Sequence, residues 1–178
     1  MIRSQLLLSP ARAALVFAML LLLGACASAP PEPPVPPPPP KPDRVAAVRS
    51  GAEASAISVE LEPLQHPAVE YLREESGKLE GASKFTEAES KIDNALAIEP
   101  QNPHLLQLKA EALLRAEKYL EAEKFAMKSF DTGARIGRWC TRNWLLIAES
   151  RDALGDLKTA DSARQRAKGC PVGPLIRY

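Results

Sequence analysis

The chain has 178 residues and a formal net charge of +1, with 17 prolines against nine glycines and 5% aromatic residues. That length accommodates one domain plus extensions, and near-neutrality excludes a strong electrostatic pull on nucleic acid or acidic lipid. Residues 1–25 carry only Arg3 and Arg12 of the 23 basic residues, so the remainder has 21 basic against 22 acidic groups. Few aromatics, together with abundant alanine after residue 66, favour helices packed through small residues over a β-sandwich.

Residues 1–12 contain Arg3, Arg12 and no acid, and Ala13–Leu23 is an unbroken apolar run. Eleven residues are too few to span a bilayer, which needs roughly 20, but they suit a signal-peptide core. Leu23-Gly24-Ala25-Cys26 follows at once. It resembles a lipobox, which implies cleavage before Cys26 and a diacylglycerol on its thiol. Several acyl chains on one cysteine anchor firmly, at about 0.8 kcal/mol per buried CH₂. Ala27, where an aspartate would imply retention, points by the same resemblance to the outer membrane.

Ala29–Pro42 reads APPEPPVPPPPPKP. Repeated proline fixes φ and removes amide donors, so the segment is expected to adopt polyproline II at about 3.1 Å per residue. Residues 27–42 would then act as a spacer on the order of 50 Å long. Residues 43–66 are weakly patterned, and the expectation is that they extend this disordered linker over 26–66.

From Pro67 helical periodicity sets in. Phe85, Ala88, Ile92, Ala95 and Leu96 share one helix face, and Glu99-Pro100-Gln101-Asn102-Pro103 ends it. Leu105, Leu106, Leu108, Ala110, Leu113 and Leu114 form the next stretch, and Tyr119, Ala122, Ala126 and Phe130 the one after. This spacing resembles the tetratricopeptide repeat, a helix-turn-helix unit of 34 residues. Three units fit, over 69–102, 103–136 and 141–174. Trp144, Ile147, Ala148, Leu154, Gly155, Leu157, Ala160 and Ala167 supply the signature of the third. Ser76, Gly77 and Gly81 predict a loose first helix in the first unit, and an insertion over Gly137–Cys140 breaks the period. The expected fold is all-α: about three antiparallel hairpins in a short right-handed solenoid over 67–174, with a tail at 175–178.

Cys140 falls at the start of the third hairpin and Cys170 just past its end, so both lie at one end of an antiparallel pair. In an oxidising compartment they are expected to form a disulfide closing a loop of about 30 residues, worth roughly 3–4 kcal/mol. There is no CxxC, and His66 and His104 are the only histidines, so neither a metal site nor any cofactor is expected. No HExxH, phosphate-binding glycine loop, GxSxG or Ser-x-x-Lys is present, and the chain is read as a binding module rather than an enzyme.

In such repeats the first helix of each pair lines a concave groove. By that resemblance the inward positions are Glu70, Arg73, Glu80, His104, Gln107, Glu111, Arg115, Arg142, Leu145 and Glu149, with His104 near the surface. A second candidate surface runs from Arg135 through Arg138 and Trp139 to Arg142, because tryptophan and arginine are the usual anchors of interfaces. Trp144 is placed in the core.

The stretch Arg142-Asn143-Trp144-Leu145-Leu146-Ile147-Ala148-Glu149, with Gly155-Asp156, resembles the LpoP type of proteobacterial repeat lipoproteins. So does the order of lipobox, proline tether, His66-Pro67-Ala68-Val69 and repeats. The resemblance covers roughly 66–168. It implies a monomeric outer-membrane lipoprotein that reaches through the peptidoglycan and activates a class A penicillin-binding protein. The alternative is a generic scaffold for envelope assembly or secretion that acts at the outer membrane.

Overall fold

The computed structural model describes residues 39–53 and 65–170. Residues 1–38, 54–64 and 171–178, on which the expected signal peptide, Cys26, most of the expected tether and the expected tail fall, lie outside the described residues. The compact unit begins at Lys41, and all that follows concerns it.

Seven α-helices make up its described part: α1 Arg44–Glu53, α2 Pro67–Gly81, α3 Phe85–Ile98, α4 Pro103–Arg115, α5 Tyr119–Thr132, α6 Gly137–Ala153 and α7 Leu157–Lys168. The last six pair as three hairpins, α2 with α3, α4 with α5 and α6 with α7, each packed on the next. Local chemistry sets the ends. His66 Nδ1 accepts the Ala68 amide before α2, and Asn102 Oδ1 accepts the amides of His104 and Leu105 before α4. In both cases proline holds the first turn, where its missing N–H costs nothing.

The three turns within hairpins are built alike. The amides of Lys84, Lys118 and Asp156 reach back to the carbonyls of Leu79, Leu113 and Arg151. The residue before each donor, Ser83, Glu117 or Gly155, has a positive φ of 59°, 61° or 78°. This is the left-handed termination that usually selects glycine. Ser83 and Glu117 are 34 residues apart and Glu117 and Gly155 38, so four residues are indeed inserted. They do not interrupt the stack. They lengthen α6 to 17 residues where α4 has 13, and four residues are close to one full turn, so the buried face keeps its direction.

The main core joins Ala110, Leu113, Leu114, Ala122, Ala126, Trp144, Leu146 and Ile147, and a smaller one joins Val69, Ala95 and Leu105. Several signature positions depart from expectation. Phe85 is 43% exposed, and Leu154 and Leu157 lie open at the last turn. The first helix is not loosened by its glycines: α2 runs unbroken to Gly81, and buried Ser76 donates to the Ala88 carbonyl at 3.0 Å.

The main correction concerns residues 43–66. The sequence predicts a mostly disordered segment here, yet Arg44–Glu53 is a docked helix, α1; residues 54–64 lie outside the described residues. The Asp43 side chain caps it through the Ala46 amide at 2.9 Å. Val45, Val48 and Ala52, at i, i+3 and i+7, are buried, and both valines join the main core.

Candidate functional site

The first helices of the hairpins, α2, α4 and α6, carry the positions expected to face a groove. The structure brings many of these together, but α1 lies against them, packed on α6 and α4. Gly51 allows the close approach. A Cβ there would stand 2.8 Å from Leu145 Cδ1, which any larger residue would have to displace.

Two arginines of α1 bracket the contact. Arg44 donates to Glu149 at 2.8 Å and Asp152 at 3.1 Å. Arg49 donates to Glu111 through both Nε and Nη2, at 2.9 and 2.7 Å, and to Glu80 at 2.9 Å. Glu111 is fully buried, so this pairing stabilises a charge that would be costly alone. Every one of these acids is also held by an arginine of the repeats. Arg142 bonds Glu111, Arg115 bonds Glu80 at 3.1 Å, and Arg164 meets Asp152 at 3.1 Å and Glu149 at 3.6 Å. The hydrogen bonds from Arg164 and then Arg44 hold the Asp152 carboxyl below the ordinary carboxylate range. Arg115 also lies 4.5 Å over the Phe85 ring, which accounts for that ring's exposed place. Arg73 pairs within its own helix with Glu70 at 2.7 Å.

The second candidate surface is assembled differently. Contrary to expectation, His104 is buried. Its ring stacks on Trp139 with centroids 3.9 Å apart and planes 15° from parallel. The reason is the extra turn of α6, which carries Trp139 across the start of α4. Gln107, expected in the groove, is also buried. Its amide donates to the Trp139 carbonyl at 3.0 Å and to Asn143 Oδ1 at 2.7 Å. Asn143 donates to Ser129 Oγ, and Ser129 to the Pro103 carbonyl. This buried polar chain joins α4 and α5 to α6, so Gln107 and His104 position Trp139 from beneath.

Around that stack lie guanidinium groups. Arg138 and Arg142 sit 5.4 and 5.8 Å from the Trp139 centroid, and Arg135 5.4 Å from that of Phe130. Arg138 also bonds Glu53 of α1 at 3.2 Å. Arg135 and Ile136 are the outermost, with the Ile136 side chain 59% exposed. The edge is therefore cationic, aromatic and partly apolar, the composition of an interface hot spot. Beneath it Cys140 and Cys170 are joined as a disulfide, with Cα atoms 5.6 Å apart, and the Gly137 amide donates to the Cys170 carbonyl.

The described residues hold no group of three or more acids, histidines or cysteines able to bind a metal. An open cleft of about 490 Å³ lies along Gln65 and Glu99–His104. Its acid, Glu99, is occupied by Asn102 and the His66 amide, so its chemistry is that of a surface recess. No helix among the described residues is long and apolar enough to cross a membrane.

No family model and no curated protein matches the chain. A solved structure does, with a TM-score of 0.56 and 25% identity: "Structure of the globular C-terminal domain of P. aeruginosa LpoP". The chain is similar to the LpoP C-terminal domain. The likeness spans 99% of that LpoP structure and 59% of this chain, and the shared fold is the all-helical one described above. LpoP gives the resemblance read from Arg142–Glu149 an independent support in three dimensions. Sequence reasoning missed α1 as a groove occupant, although Asp43 with Val45, Val48 and Ala52 is a capped helical stripe.

Proposed function

We propose that the chain is an outer-membrane lipoprotein whose periplasmic domain activates a class A penicillin-binding protein in peptidoglycan synthesis. The likeness to the LpoP C-terminal domain carries this reading. The lipobox at Cys26 and the proline tether suit it, since a synthase in the inner membrane must be reached across the cell wall. With α1 on the groove, the edge formed by Arg135, Ile136, Arg138, Trp139 and Arg142 is the surface we assign to the synthase. It would act by binding the active conformation better than the inactive one.

The test is glycan-strand synthesis by a purified class A penicillin-binding protein of the same organism, with and without the chain from residue 27 onward. A rise that is lost on Trp139→Ala, with helicity unchanged, is the expected outcome. No rise with folded protein would refute the reading.

A further inference from the structure

We infer that α1 is a resident ligand of the concave face, and that the face can also receive an arginine-bearing amphipathic helix of a protein partner, which docks by displacing α1. The partner's chemistry is legible in the occupant. It is a short helix with arginines five residues apart (Arg44, Arg49), valines three apart (Val45, Val48) and small residues at the close approach to α6 (Gly51, Ala52).

Three observations make α1 exchangeable rather than a fixed wall. Its own helical tendency is weak. It is ten residues long with Ser50-Gly51 inside it, and isolated helices shorter than about 12–15 residues are marginal. Its apolar hold is confined to Val45, Val48 and Ala52, and the rest is ionic: Arg44 on Glu149 and Asp152, Arg49 on Glu80 and Glu111, and Glu53 on Arg138. Most telling, its departure strands no buried acid. Glu111 keeps Arg142, Glu80 keeps Arg115, and Glu149 and Asp152 keep Arg164. A receptor whose acids are already oriented by its own arginines is preorganised for a second cationic helix. Because α1 and α2 belong to one chain, α1 meets the face intramolecularly, and a free helix must compete with it.

This site adjoins the Trp139 edge through Arg138 on Glu53 and Arg142 on Glu111, and its test does not use the synthase. The full chain in detergent is followed by hydrogen exchange, and binding of a fluorescent peptide with the sequence of residues 41–53 is read by anisotropy. In the unaltered chain the amides of α1 should exchange at least tenfold faster than those of α4 and α6. Gly51→Leu, or Val45→Asp with Val48→Asp, should release α1. The released chains should bind the peptide at least tenfold more tightly than the unaltered chain, and 0.5 M salt or reversal of both peptide arginines to glutamate should abolish binding. The inference is overturned if α1 exchanges no faster than α4 and α6, so that it opens only with the whole domain. It is equally overturned if chains shown by exchange to have released α1 fail to bind the peptide. Should the variants unfold, the exchange rates of the unaltered chain still decide.

Discussion

Glu111 shows how one side chain sets the character of its surroundings. Its carboxylate is wholly buried and is shared between Arg49 from α1 and Arg142 from α6. Replacing it by alanine leaves two guanidinium groups facing a gap, and breaking a buried pair from one side costs about 3–5 kcal/mol. Denaturant unfolding of Glu111→Ala should show a loss of that size, with Glu111→Gln less severe because it still accepts. Ser83 offers the opposite case. Its φ of 59° is one that a side chain raises by about 1 kcal/mol or more. Ser83→Gly should therefore raise the melting temperature, in spite of removing a side chain. The same substitution at Glu117 mixes this gain with loss of its bond to Lys41.

Among the elements, α1 depends most on its charges. The folded value of Asp152 lies below its ordinary 3.8, so its contribution is complete above that value and fades as the pH falls through the lower folded one. Amide protection of α1 should hold steady from pH 7 to 5 and decline below about pH 3.8; a decline near neutrality would contradict this. The six repeat helices were legible in the sequence because they place apolar or small residues at helical spacing between proline or left-handed turns. The inserted residues were legible too, but only the structure shows that they form one more turn of α6. What periodicity could not supply was partnership. It placed His104 at the surface and Gln107 in the groove, since it cannot see that Trp139 closes over one and takes a hydrogen bond from the other. It also passed over α1, whose three-residue stripe sits beside a proline tract and is stabilised by the distant core it enters and by acids lying 31 to 108 positions away.

At the scale of the domain, the disulfide between Cys140 and Cys170 closes the last described hairpin. Removing it as Cys140→Ser with Cys170→Ser should cost roughly 3–4 kcal/mol, measurable by thermal unfolding against the oxidised chain. If the domain works at a distance from its anchor, deleting residues 29–40 should impair it in cells while leaving the purified protein fully able to bind. The deletion must stop there, because Lys41 bonds Glu117 and Asp43 caps α1.

The docking of α1 also determines where mechanical load would enter. Along the chain, the N-terminal arm leads to the first hairpin. In space, α1 grips α6, in the hairpin that the disulfide ties shut. A pull on the arm is thus delivered through α1 mainly to the covalently braced hairpin, with Arg49 passing part of it to α2 through Glu80. The ion pairs of Arg44 and Arg49, with Val45 and Val48 beneath them, would then be the first contacts to carry the load.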